Sequence, residues 1–204
     1  MSIEYFGLFI ALISFLGFLV ENLWLAIRKG YIDNRNFCLP FLLGYGLMVT
    51  GFALCFGTPD NVLIFGIKTN LTGRLSWVIY FLKAFIVVCA GEHILGTAVK
   101  KLCGFDYWNY DDLPLKLSKY TTIPTSIAFA LMITVFMGYC VRPIAELFMA
   151  IDINIAKVLS DILIFILFID YFFSFKKMIK TRHLNVLWKI YLQREKNLKN
   201  SNVI

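Results

Sequence analysis

The chain has 204 residues, 59% of them hydrophobic and only 16% charged, with a formal net charge of +7. Soluble domains are about half apolar; here the mean hydropathy is +0.73 and the apolar residues fall in long blocks with the charges gathered between them. That pattern argues against a soluble domain and for a multi-pass helical membrane protein, while the absence of short alternating segments argues against a spanning β-barrel.

Five apolar blocks follow one another along the chain, and an α-helix needs roughly 20 residues to cross the hydrocarbon core. Residues 3–27 form the first. It lacks a basic leader and a small-residue cleavage site, so it reads as a retained span rather than a signal peptide. The second, 39–56, is the shortest of the clear blocks and is bounded by "GTPDN". The stretch 61–67 is too short to span and reads as an interfacial or re-entrant piece. Residues 75–99, 124–139 (extending toward 149) and 155–175 complete the set. The expected fold is therefore all-α: a transmembrane helical bundle of about five spans over 1–175, followed by a basic tail over 176–204.

That tail mixes Lys and Arg with Leu, Val, Trp and Ile at roughly helical spacing, as expected of an amphipathic helix lying on anionic headgroups; docking to a cytosolic partner is the alternative. Fifteen of the twenty Lys and Arg residues fall in the first loop, the third loop and the tail. Cytoplasmic loops carry such an excess, which predicts an N-terminus outside the cell membrane and a C-terminus in the cytoplasm. The charge thus addresses a membrane surface, not nucleic acid. Five cysteines are scattered without metal-ligand spacing, so no metal and no cofactor is expected; Cys55 and Cys140, near the outer face, are positioned to pair.

Two polar loops of eleven residues punctuate the chain, "GYIDNRNFCLP" (30–40) and "GFDYWNYDDLP" (104–114). Gly30 and Gly104 suit left-handed helix caps with cations just before them, and Pro40 and Pro114 suit the first turn of whatever follows. Their echo suggests a parallel duplication of 1–60 and 75–150. Above the loops lie acids that a lipid environment penalises by several kcal/mol: Glu21 in the first span, Glu92 in the third with His93 beside it, and Asp170 in the fifth. All three fall at one depth and are candidates to line a polar cavity. Asn34, Arg35, Trp108 and Asn109 are the loop residues placed to join them. Nearer the outside, Lys83 and Asp161 match in depth and are expected to form a structural ion pair.

With these residues in view, the chain resembles a bacterial membrane family of type IV ABC-transporter permeases. "FLGFLVENLW" supplies Gly17 and Glu21 of the first family signature. "NRNFCLPFLLGYG" adds Asn34, Arg35, Phe37, Pro40, Tyr45 and Gly46, and Glu92 followed by "WNYD" gives Trp108 and Tyr110 of the second. Phe18, Asn36, Leu43 and Asn109 depart from the family's tryptophan, glycine, proline and aspartate, and a further family glutamate is replaced at Lys100 or Lys101. The resemblance covers about 14–124 and implies a transport component.

No P-loop pattern G-x-x-x-x-G-K-[ST] occurs, so ATP energy would come from a separate ATPase or other membrane subunit, in a homo- or hetero-oligomer. Proton or cation movement by the inner carboxylates is the other transport reading. Two further classes stay open: an intramembrane enzyme acting on lipid or lipid-linked substrates, for which no nucleophile–base motif is visible, and a non-catalytic accessory or sensor protein.

Overall fold

The computed structural model describes residues 3–192. A 3-10 turn, Ile3–Tyr5, runs into α1 (Phe6–Lys29). Gly30 ends the helix at φ 68°, its N–H donating to the Ala26 carbonyl, with Arg28 and Lys29 in the last turn where the helix dipole favours cations. A short strand β1 (Tyr31–Asp33) and a bend lead to α2 (Leu43–Phe56). Next come β2 (Gly57–Thr58), β3 (Asn61–Ile64) and β4 (Ile67–Lys68), an antiparallel sheet in sequence order. The 61–67 stretch is thus strand and turn of a small sheet. The longest helix, α3 (Gly73–Cys103), ends on Gly104 at φ 82° as α1 ends on Gly30.

A hairpin, β5 (Lys116–Ser118) with β6 (Thr121–Thr122), precedes α4 (Ile123–Val135). The Thr122 hydroxyl caps α4 by accepting the Thr125 N–H, and Pro124 occupies its first turn. The helix widens into one π-helical turn at Phe136–Cys140 and continues as α5 (Val141–Met149). Asp152 caps α6 (Ile153–Thr181), after which β7 (Lys189–Tyr191) returns to pair with β1.

Several expectations change. Four helical runs are long and apolar enough to cross a bilayer; α2, at 14 residues, is shorter and rises about 21 Å. Neither loop proline starts a helix: Pro40 lies in the bend before α2, and Pro114 precedes β5. Cys55 and Cys140 are free thiols. The tail stays helical to Thr181, but from Arg182 to Leu192 it is extended or turning, because its backbone is claimed by pairing with β1. The rest of the tail, 193–204, lies outside the described residues.

Burial is inverted relative to a water-soluble protein. Ser14, Ser76, Ser126, Ser160, Ala84 and Ala156 are buried, whereas Phe165, Phe172, Phe173, Leu23 and Ile86 are 60–67% exposed. Lipid contributes no hydrophobic force between helices, so small residues that permit close approach hold the interfaces. At Gly7, for example, an added Cβ would sit 2.6 Å from the Cβ of Ser160.

The C-termini of α1, α3 and α6 gather at one end. There β1 pairs with β7, Arg182 Nη1 donates to the Leu102 carbonyl at 3.2 Å, and Arg28 meets Asp112 at 2.6 Å. This is the basic end; the β2–β3–β4 sheet marks the opposite, hairpin end. The closest pairings are α1 with α2 and α3 with α4, with α6 against α1. Phe52, Val62, Tyr80, Ala84, Ala130 and Met137 join the two pairs in one core toward the hairpin end.

Candidate functional site

Between the two helix pairs lies a chamber of about 670 Å³. Phe52 and Ala84, members of the core just described, also line it, so that core forms its floor; Val49, Val87, Phe129 and Ile133 make apolar walls. Toward the basic end the lining turns polar, and the chamber reaches the surface at the exposed Lys29, Asp111 and Asp112.

Glu21 and Glu92, donated by α1 and α3, both line this space. Glu21 accepts a bond from Arg35 Nη2 at 3.0 Å and another from the Tyr45 hydroxyl, and Arg35 Nη1 lies 3.6 Å from Asp33. Gly17 makes the tyrosine contact possible, since a Cβ there would fall 2.6 Å from Tyr45 Cγ. The guanidinium returns from the loop because Arg35 and Asn36 both take positive φ, 47° and 70°. Asparagine tolerates that region best after glycine, which accounts for Asn36 where the family signature has glycine; an arginine there stores about 1–3 kcal/mol of strain. The Tyr107 hydroxyl holds the turn by donating to the Arg35 carbonyl at 2.6 Å, with the guanidinium 5.8 Å from its ring. Burial pushes the Tyr107 phenol up to about 12, with Arg35 opposing.

Glu92 is held differently. Ser126 Oγ donates to its Oε2 at 3.2 Å, and Thr121 Oγ1 lies 3.0 Å from Ser126 Oγ. No ion pair among the described residues involves Glu92. Tyr110 completes the polar ring: burial first, then the Glu92 and Glu21 carboxylates, raise its phenol well above the usual range, so it remains a protonated donor. Trp108 and Asn109 also line the chamber. Trp108 is fixed by donating to the Tyr120 carbonyl at 2.8 Å, while the Asn109 side chain accepts the Asp111 N–H.

Other expected residues lie elsewhere. Asp170 is not in the lining; its buried carboxylate accepts the N–H groups of Cys38 and Leu39, each at 3.0 Å, and the Ser174 hydroxyl. The inner acid layer therefore splits, because Asp170 faces the first loop's backbone. Asn34 is buried beneath the lining, donating to the Phe37 and Asn185 carbonyls and accepting from Leu187 N–H. His93 is exposed beside Ser118 and Thr121, on a different face of α3 from Glu92. The Lys83–Asp161 pair does not form. Lys83 donates to the Leu63 carbonyl at 2.8 Å and sits over the Phe56 ring, while Asp161 is exposed on α6. Equal depth did not place the two on facing sides.

Tyr45, Tyr107, Tyr110, Asp33 and Ser126 were not among the expected site residues. Tyr45 and Tyr110 carried a signal, since both belong to the family signatures; Ser126 carried none, being one hydroxyl in an apolar block.

Such a bundle, with a polar-mouthed chamber between two helix pairs, belongs to the class of multi-pass helical membrane proteins. The model of the family described as "Putative ABC-transporter type IV" matches residues 8–175, and the chain belongs to that family. Membership and the apolar helices together support a membrane transport component. The match extends into α6, further than the motifs alone suggested, and stops short of the tail. No curated protein and no solved structure matches the chain.

Proposed function

We propose that the chain is a permease subunit whose chamber between the helix pairs is the solute site, working with a separate ATPase subunit. The observation that carries this reading is that Glu21 and Glu92, from separate helices, line one cavity closed toward the hairpin end and open at the basic end. Carboxylates inside a bilayer usually mark a solute or ion route. The basic end faces the cytoplasm in this reading, in keeping with the fifteen basic residues that the sequence assigns to that side. The N-terminus is then external. The second loop, with Asp111 and Asp112 exposed, is where an ATPase would dock.

The test introduces Met48→Cys, on α2 within the lining, in a background where the native cysteines are serine. A membrane-impermeant maleimide labels this cysteine in inside-out vesicles and leaves it unlabelled in right-side-out vesicles. The reverse pattern, or equal labelling from both sides, overturns the assignment. Purification from native membranes then yields ATP hydrolysis with the chain if the energy source is as proposed; a subunit isolated without it removes the ATPase.

A further inference from the structure

We propose, resting on the permease reading of the chamber, that its solute is an amphipathic organic monocation. The cationic head sits at Glu92, and the apolar body lies among Val49, Val87, Phe129 and Ile133.

Charge accounts for the sign. Glu21, Asp33, Glu92, Asp111 and Asp112 line the chamber against Arg28, Lys29 and Arg35, and Asp111 is taken by Lys116 of the hairpin, which leaves an acidic excess of one inside a chain that is basic as a whole. Two of the three cations are occupied: Arg35 by Glu21 and Asp33, and Arg28 by Asp112. Lys29 is exposed at the rim. Glu92 is left with two neutral hydroxyls, those of Ser126 and Thr121, as hydrogen-bond partners. A carboxylate in an apolar wall without counter-charge is costly, and an arriving cation relieves that cost where an anion adds to it. One uncompensated carboxylate fits one positive charge.

Shape and wall chemistry account for the rest. A volume of about 670 Å³ lies in the ordinary range for small-molecule pockets. Below Glu92 the lining is aliphatic and aromatic, suited to a hydrophobic body. Trp108 and Tyr110 border the polar level, and aromatic faces there add cation–π attraction to a poorly hydrated ammonium or phosphonium head. A small hydrated cation would leave the walls unused. A zwitterionic phospholipid would bring a phosphate into the acidic excess.

Tetraphenylphosphonium and tetraphenylborate test the proposal directly, being matched in shape and opposite in charge. Each is measured by equilibrium dialysis against the full chain in nanodiscs, with empty nanodiscs subtracted. The phosphonium binds saturably and the borate does not. E92Q weakens phosphonium binding about tenfold or more, whereas E146Q, at an exposed carboxylate on α5 outside the lining, leaves it unchanged. Borate binding as tight as phosphonium, no saturable phosphonium binding, or binding indifferent to E92Q overturns the proposal. Should E92Q unfold, the comparison of the two ions on the wild-type chain decides alone. The two readings fail separately. Cytoplasmic-side labelling of Met48→Cys without phosphonium binding removes the solute class only. Saturable binding with labelling from the wrong side removes the permease orientation and keeps the ligand.

Discussion

The two eleven-residue loops begin alike, each on a left-handed glycine closing a long helix, and then diverge. The first turns inward: Asp33, Asn34 and Asn36 are 8%, 2% and 5% exposed, and their partners come from α1 and the tail. The second is tied mainly to its own hairpin. Asp106 meets Lys119 at 2.6 Å and the Tyr120 hydroxyl at 2.8 Å, and Asp111 meets Lys116 at 3.2 Å. The consequence reaches the chamber. The first loop delivers a cation, Arg35, to the carboxylate of its own helix; the second uses its cations on its own acids and presents Trp108, Asn109 and Tyr110 instead. One plan thus yields a paired acid at Glu21 and an open one at Glu92.

Removing Arg35 is the strongest way to break that asymmetry. Arg35→Ala leaves Glu21 and Asp33 without their cation in a site where the arginine side chain is 11% exposed. Truncating one partner of a buried pair costs about 3–5 kcal/mol, so thermal unfolding in nanodiscs should show a large loss. A variant within experimental error of wild type would mean the first loop is as loosely tied as the second.

Asp170→Ala comes next. Its carboxylate is the acceptor for Cys38 and Leu39 N–H, and orphaning buried donors costs about 1–3 kcal/mol. Hydrogen exchange should accelerate at residues 38–39 while the second loop is unaffected. Equal acceleration in both loops would show that Asp170 supports the bundle generally, not the first loop.

Helix extent was legible in the sequence and azimuth was not. The apolar blocks and the glycine caps follow from counting residues along spans. Which way each acid points does not, because a membrane helix is apolar toward lipid and toward its neighbours alike, and the periodicity that orients a soluble helix is erased. Asp170 therefore looked like a third member of the cavity, and Lys83 and Asp161 looked like partners. The tail misled for a different reason. Its alternation of basic and apolar residues suits a helix at a membrane surface, yet the partner that organises it is β1, far earlier in the chain at Tyr31–Asp33. Nothing local announces a strand there.

Asn185→Ala probes that tail contact. Asn185 is 5% exposed; it donates to the Asn36 carbonyl, and its own carbonyl accepts from Asn34. The variant loses the side-chain bond, about 1 kcal/mol. Faster exchange at 31–33 and 189–191 with little change in global stability is expected. Leu184 and Val186, which line the chamber on either side of it, should then become more accessible to protease. Unchanged exchange at β1 would mean that strand pairing alone secures the tail.

The smallest effect concerns pH. The hydrogen bond from Lys119, with a smaller one from Tyr120 and the nearby Lys100 charge, holds the Asp106 carboxyl below the usual range. A carboxyl with a depressed folded-state pKa stabilises fully above its unfolded value of about 4 and loses that contribution as the pH falls through the lower, folded value. Lys119 is raised by the same bond, so its share is complete at neutral pH and disappears only in strong base. Protection of residues 104–114 should therefore hold from neutrality down to about pH 4 and decline below it. Lys119→Ala should slightly lower that protection at pH 7, where the contribution of the bond is complete, and flatten the decline in acid. The neutral contacts between Asn34 in the first loop and Asn185 in the tail have no acid limb of their own. An acid decline there that Lys119→Ala also flattens would mean that both loops depend on the same exposed ion pairs.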